Sequence, residues 1–320
     1  MCRKIPTCII LVPSVNNTAP RRATSLADAG ADCEHPGLDG QRWLARFSAE
    51  FSAQQGTTRL GKTEHFGPLR VQRPFFPEGP ECLHFYLLHP PGGLVGGDQL
   101  SIDLSLNDGA HVLMTTPSAG KIYNNISGIP QGQHVSIKVA AGSVLEYLPQ
   151  ENIVFNGADG QLTTTIDIAG DGLFVGWEIT CLGRFESAQF FEQGQLTQSL
   201  ILRRDGQPLF SDRLQLSAPS ALQSSRVGFQ NHHVFGTFVI NRTVMTDTNE
   251  LGEKIVAWQE NVNNRHQPLA VAVTQKPDVF IARVLGNKAE QVRHCLEQLW
   301  AQLRSDMVGR VPCAPRIWRT

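Results

Sequence analysis

Little in this chain of 320 residues would attract a polyanion: 28 Lys and Arg stand against 29 Asp and Glu, a net charge of −1. Without an overall field, neither nucleic acid nor an anionic membrane is expected as a partner. No apolar stretch approaches the ~20 residues needed to span a bilayer. The run Cys8 to Val12 is shorter than a secretory core and lacks a small-residue cleavage site. These absences lead to the expectation of a soluble, cytoplasmic protein. The seven cysteines are odd in number, scattered, and form no CxxC pair, so a zinc knuckle or redox dithiol is excluded and reduced thiols are expected. The histidines show no HExxH or HxH spacing, which disfavours a closed zinc site. Ser118 has no GxSxG context, which removes the usual setting of a hydrolase nucleophile.

Charged residues are also scarce, at 18%, while Gly (29) and Pro (19) are frequent. That balance suits many short strands joined by turns. Residues 1–40 are rich in Ala, Asn, Ser, Asp, Gly and Pro from position 13 onward and have little to bury, so they read as a disordered leader. Apolar weight begins at Trp43, Leu44, Phe47 and Phe51 and continues to the end, which gives one β-rich domain over 41–320. Period-two alternation is clearest in Leu100–Leu106, Val135–Val139 and Leu214–Leu216, the pattern of strands with one wet face.

Turn signals at Asp108-Gly109, Ala141-Gly142, Asp159-Gly160, Asp171-Gly172 and Asp205-Gly206 predict hairpins and meanders. More than a dozen strands exceed one flat sheet, so the fold class is mainly β, with antiparallel or mixed stacked sheets. About two helices are expected. The C-terminal one carries Val292, Cys295, Leu296, Leu299, Trp300 and Leu303 as a buried stripe, with Asn287 as N-cap, Glu290 completing a capping box and Gly309 as the stop. The other spans about 250–262, with Ile255, Trp258 and Val262 on one face. No internal repeat of solenoid type is visible in the sequence.

Four segments bear on chemistry. The loop His89-Pro90-Pro91-Gly92-Gly93-Leu94-Val95-Gly96-Gly97-Asp98 has paired glycines rather than GxGxxG, so it reads as a tight, rigid turn before a strand and not as a dinucleotide cradle. Gly120-Lys121 is followed by Ile122, without the hydroxyl that a Walker A loop places on magnesium. Glu146 and Glu178 lie inside apolar strands, where a carboxylate is costly unless paired or functional. Three roles stay open for them: a general acid/base pair, metal contacts, or ion pairs with Arg70, Arg184 or Lys121. The adjacent His232 and His233 point to opposite faces if they share a strand, which prevents easy chelation.

Taken in order, six motifs resemble the UreD family of urease accessory proteins, also called UreH. They are Trp43-Leu44-Ala45, Gly67 to Phe75, Tyr86 to Asp98, Thr115 to Tyr123, Leu148 to Phe155 and Trp177 to Arg184, and Pro312 to Trp318 closes the series. Asn124-Asn125-Ile126 departs from the more basic sequence associated with this point of the family. The resemblance implies a mostly β, non-enzymatic scaffold with no tightly bound cofactor. It implies binding to the urease apoprotein and, through UreF, to the nickel-loaded GTPase UreG, with nickel in transit. Asp98, Glu146 and Glu178 are then candidate weak contacts on a nickel path, since carboxylates release a divalent ion more readily than thiolates or imidazoles. Docking to partners implies exposed apolar surface and poor solubility in isolation, with Trp300, Ile317 and Trp318 as candidate contacts. The other readings are a β-rich binding protein unrelated to urease and an enzyme using the loop 92–98.

Overall fold

A computed structural model describes residues 42–107, 109–241, 248–264 and 269–319. The leader expected over 1–40 lies outside the described residues, as does Asp108. The strands in chain order begin with β1 (Trp43–Gln54), β2 (Thr57–Phe66), β3 (Arg70–Val71), β4 (Cys82–Leu88), β5 (Asp98–Asn107) and β6 (His111–Thr115). They continue with β7 (Gly120–Ile122), β8 (Gln131–Val139), β9 (Val144–Tyr147), β10 (Asn152–Val154), β11 (Asp159–Ile168) and β12 (Leu173–Arg184). Then come β13 (Gln189–Phe190), β14 (Gly194–Arg204), β15 (Gln207–Ala218), β16 (Val234–Asn241), β17 (Ala270–Lys276) and β18 (Val279–Gly286). Helices are the single turn α1 (Ala221–Ser224), α2 (Thr248–Asn264) and α3 (Ala289–Val308).

The mainly β class with stacked mixed sheets and a C-terminal helix is what the structure contains. One layer is a seven-stranded sheet in the order β15-β14-β11-β8-β5-β1-β2. The other follows β17-β18-β16-β12-β9-β6-β4-β3, with β7, β10 and β13 attached at its side. Alternation decides which side chains meet between the layers. Leu100, Ile102, Leu104 and Leu106 of β5 lie beside Gln133, Val135, Ile137 and Val139 of β8 and point inward. On β12, Phe174 and Leu182 face this inter-sheet core, while Val175, Trp177, Ile179 and Cys181 face a second core under α2 and α3.

The expected hairpins require correction. The turns near Gly109, Ala141-Gly142 and Asp171-Gly172 carry the chain from β5 to β6, β8 to β9 and β11 to β12, that is, from one layer to the other. Successive coils therefore stack in parallel, β5 on β8 on β11 and β4 on β6 on β9 on β12. The result is a solenoid-like arrangement without a sequence repeat. A short turn between two amphipathic strands is equally compatible with a hairpin in one sheet or an arch between two, because both bury the same alternate residues. Of these signals only Asp205-Gly206 closes an antiparallel hairpin, β14 to β15.

The stripe on α3 is buried throughout, and Gly309 ends the helix in the left-handed region at φ 71°. Its start differs from expectation. Lys288 is the N-cap with no side-chain cap bond, and Asn287 instead accepts a hydrogen bond from the His233 amide at 3.1 Å. Helix α2 buries Ile255, Trp258 and Val262 as the spacing predicts.

Candidate functional site

Two buried polar sites occupy the two cores, and both begin from strand carboxylates. Glu146 on β9 points into the core beneath α3 and is fully buried. Arg304, one turn beyond Trp300 on α3, donates from Nε to Glu146 Oε2 at 2.9 Å and from Nη2 to Oε1 at 2.8 Å. The Trp300 indole N–H adds a 2.7 Å bond and His111 Nε2 lies at 2.8 Å. The same guanidinium reaches Glu78 at 2.5 and 2.8 Å, and His84 lies 2.6 Å from that carboxylate. Burial alone would raise both carboxyls, but the hydrogen bonds from the histidines and Arg304, with the guanidinium charge, outweigh it and hold each at about 2.

This is the ion-pair reading of Glu146, with a partner that the sequence reasoning misses: Arg304, not Arg70, Arg184 or Lys121. Cys82 with His84 and Glu78, and Cys82 with His111 and Glu146, place possible metal-donor atoms within 4.8 Å of one another. The guanidinium already neutralises both carboxylates there, so a divalent ion would have to displace Arg304. Burial foremost, then the neighbouring carboxylates, push the Cys82 thiol well above its ordinary range, which keeps it protonated and a poor ligand.

Glu178 on β12 points the other way, into the space between the sheets. Its Oε1 accepts from Thr164 Oγ1 of β11 at 2.5 Å and its Oε2 from Gln198 Nε2 of β14 at 3.0 Å. Gln198 in turn accepts from Thr180 Oγ1 at 2.8 Å. All these donors are neutral. Burial raises the Glu178 carboxyl above its ordinary value, the two hydrogen bonds only partly opposing it, and the nearby Asp212 raises it further. Asp212 is itself clamped by Arg283 at 2.7 Å, a bridge from β15 to β18 across the layers. One signal in the sequence does point to this site. Gln198 interrupts the inward series Leu196, Leu200, Leu202, a polar group where an apolar one is expected.

Asp98 is separate from both sites. It is buried at the start of β5, where Oδ2 accepts from the Val95 amide at 2.9 Å. Burial raises its carboxyl and lowers the neighbouring His89, each partly offsetting the other. His89 also lines a cavity of ≈ 70 Å³ between the layers, together with Ile102, Gln133 and Tyr147. Glu178 in turn raises the Tyr147 phenol, after burial, so the cavity and the Glu178 site are electrostatic neighbours. Two glycines of the 92–98 loop serve packing: a Cβ at Gly93 would come within 2.5 Å of the Tyr123 ring, and one at Gly96 would collide with Ser127 and Asn125, whereas Gly92 and Gly97 take the left-handed region at φ 75° and 91°. At Gly93 and Gly96 the backbone is closed against a neighbouring loop.

The docking residues expected at the C-terminus are otherwise employed. Trp300 is 2% exposed and belongs to the core. Trp318 packs on that core between Trp177 and Trp300, at ring separations of 5.7 and 6.0 Å, and its indole donates to Thr115 at 2.9 Å. Ile317 is half-buried. Trp300 is therefore corrected from a docking residue to a core residue, because its indole is the donor that Glu146 requires.

A family model described as UreD urease accessory protein matches residues 44–319. The chain belongs to this family. Similar relatives include "Urease accessory protein UreD" of Saccharophagus degradans, 42% identical over 282 residues covering 88% of this chain and 94% of the relative. The protein of the same name from Chromohalobacter salexigens is 39% identical over 88% of this chain and 90% of its own length. That from Janthinobacterium is 38% identical over 86% and 91%. The family match begins one residue into β1 and includes Asp98, Glu146, Glu178 and the aromatic tail. Among the described residues no helix is long and apolar enough to cross a membrane.

Proposed function

We propose that this protein is a non-catalytic scaffold of urease maturation, which binds the urease apoprotein and, through UreF, the nickel-loaded GTPase UreG. Nickel is its cargo and not a resident cofactor. Membership of the UreD family over nearly all the described chain supports the accessory role. The observation that carries the ion-handling part is the contrast between carboxylates. Glu178 is held between the sheets by neutral donors alone, whereas Glu146 is neutralised by Arg304. A carboxylate braced by hydroxyl and amide donors is oriented without being charge-compensated, so it can meet a passing divalent cation and release it. Asp98 is the second such group, near the loop at the end of the layers. Glu146 is assigned to stability.

The deciding experiment measures urease activity in nickel-supplied cells that carry the urease structural genes and the remaining accessory genes, with and without this chain. Activity that depends on the chain is the expected outcome. Full activity without it, in a host lacking any substitute, would overturn the reading. The ion path is tested by Glu178→Gln, which should lower activation while leaving the amount of chain bound to urease unchanged.

A further inference from the structure

We propose that Cys82, His111 and Glu146 form a divalent transition-metal site that Arg304 keeps closed by holding its guanidinium where the ion would sit. Their donor atoms, a thiol sulfur, an imidazole nitrogen and a carboxylate oxygen, lie within 4.8 Å of one another, and all three side chains are buried. Sulfur, nitrogen and oxygen donors in one set suit zinc, cobalt or nickel rather than magnesium or calcium. Arg304 Nη2 lies among them, 2.8 Å from Glu146 Oε1 and 3.9 Å from Cys82 Sγ. His111 Nε2 is 2.8 Å from that same Oε1. The guanidinium is thus a resident cation in contact with two of the three donors and with the oxygen that the third one holds.

Charge chooses this set over its neighbour Glu78, Cys82 and His84, whose donors are equally close. Glu78 keeps a second cation, Arg310 at 3.6 Å, when Arg304 is taken away. Glu146 has no other arginine or lysine among the described residues, and only the Trp300 indole on Oε2 and the His111 imidazole on Oε1 remain with it. A buried carboxylate stripped of its counter-charge gains most from a new cation. Cys82 carries its proton beside the carboxylates, and a bound ion would release that proton to the buffer as the thiolate forms. The guanidinium also donates to the Val311 carbonyl, and Val311 is 76% exposed, so a surface segment lies one hydrogen bond away from the closed site. Closure matters for a chain that carries nickel, a purpose that rests on the reading above: a thiolate and an imidazole would retain the cargo that Asp98 and Glu178 release.

The test equilibrates the untagged full chain with zinc or cobalt, removes loose ion by gel filtration, and measures metal content and the unfolding midpoint. Arg304→Ala should retain about one ion per chain, with a thiolate-to-cobalt charge-transfer absorption. Its midpoint should rise with the logarithm of free zinc. The unchanged chain should show neither effect. Adding Cys82→Ser or His111→Ala to Arg304→Ala should abolish both, whereas adding Cys295→Ser, a buried thiol of the same core outside the donor set, should leave them intact. Where Arg304→Ala folds poorly, the readout is its soluble yield, which zinc in the culture should raise relative to a chelator. No gain from zinc in midpoint or yield for Arg304→Ala, or a gain that survives Cys82→Ser, would overturn the site. Metal held through Cys82 in the unchanged chain would overturn its closure by Arg304. Urease activation enters none of these outcomes, so the scaffold reading stands or falls separately.

Discussion

Glu146 and Glu178 lie on neighbouring strands of one layer, where Glu146 pairs in register with Val175, three residues before Glu178. They nevertheless point into different cores and have opposite electrostatics. Glu146 faces the helical side, where α3 supplies a guanidinium and an indole and β6 an imidazole. Glu178 faces the other sheet, which supplies a hydroxyl and an amide. Burial acts on both in the same direction, and the neighbouring charges decide the sign of the outcome. A carboxylate's burial thus says little about its role until its partners' charges are known: a cationic partner makes it a fastening, neutral donors leave it available.

The largest effect on stability should come from Arg304→Leu, which leaves Glu146 buried without its cation and Glu78 with only Arg310 at 3.6 Å. The expected loss is about 3–5 kcal/mol by urea denaturation. Adding Glu146→Gln should cost less than the sum of the two single changes, since one of the stranded charges is then gone. Strict additivity would show that the network is not energetically coupled.

Next in size is Trp318→Ala, which removes the ring between Trp177 and Trp300 and the bond to Thr115. A loss of about 2 kcal/mol is expected for this half-buried indole. A neutral result would remove the tail from the stabilising side of the comparison and make it a docking surface again.

Acid should separate the two sites without mutation. The carboxyls of Glu78 and Glu146 are depressed, so their contribution to stability is fully present above the ordinary value of 4.5 and disappears as pH falls towards about 2. Glu178 is raised, so its protonated form favours the fold and stability declines as pH rises through its folded value, above 4.5. Denaturation across this range should therefore be less steep at the acid end in Glu146→Gln, and Glu178→Gln should remove only the decline above 4.5.

The smallest stability change is expected for Glu178→Gln at neutral pH, within about 1 kcal/mol, because the amide can keep bonds to Thr164 and Gln198 while removing a charge disfavoured by burial. Its effect on urease activation should nevertheless exceed that of Trp318→Ala at equal amounts of soluble chain. Unchanged activation would end the proposed distinction between the two carboxylates.

Much of the fold is legible in particular residues. The α3 stripe can be read because apolar residues three and four apart over about three turns fit a half-buried helix and not a strand, and Leu100–Leu106 shows its inner face through alternation. Arg304 escapes such reading, although it lies four residues after Trp300 on that same stripe, a charged residue where an apolar one belongs. Its partners Glu78 and Glu146 are separated from it by most of the chain, and no local rule pairs them. The tail aromatics mislead for the same reason. Trp318 resembles a free docking residue until Trp177, Trp300 and Thr115 are placed around it.

Local periodicity and ordered motifs are enough to specify most of the strands, the two long helices, the inner face of each element and the family, because each of these depends on residues close together in the chain. Tertiary contacts were needed to show that the short turns cross between layers and that Glu146 is matched to a cation and Glu178 to neutral donors. They also put Trp300 in the core and pack Trp318 against it. Those outcomes depend on contacts between residues far apart in the chain, where the charge and shape of the partner, and not the residue's own type, set the free energy.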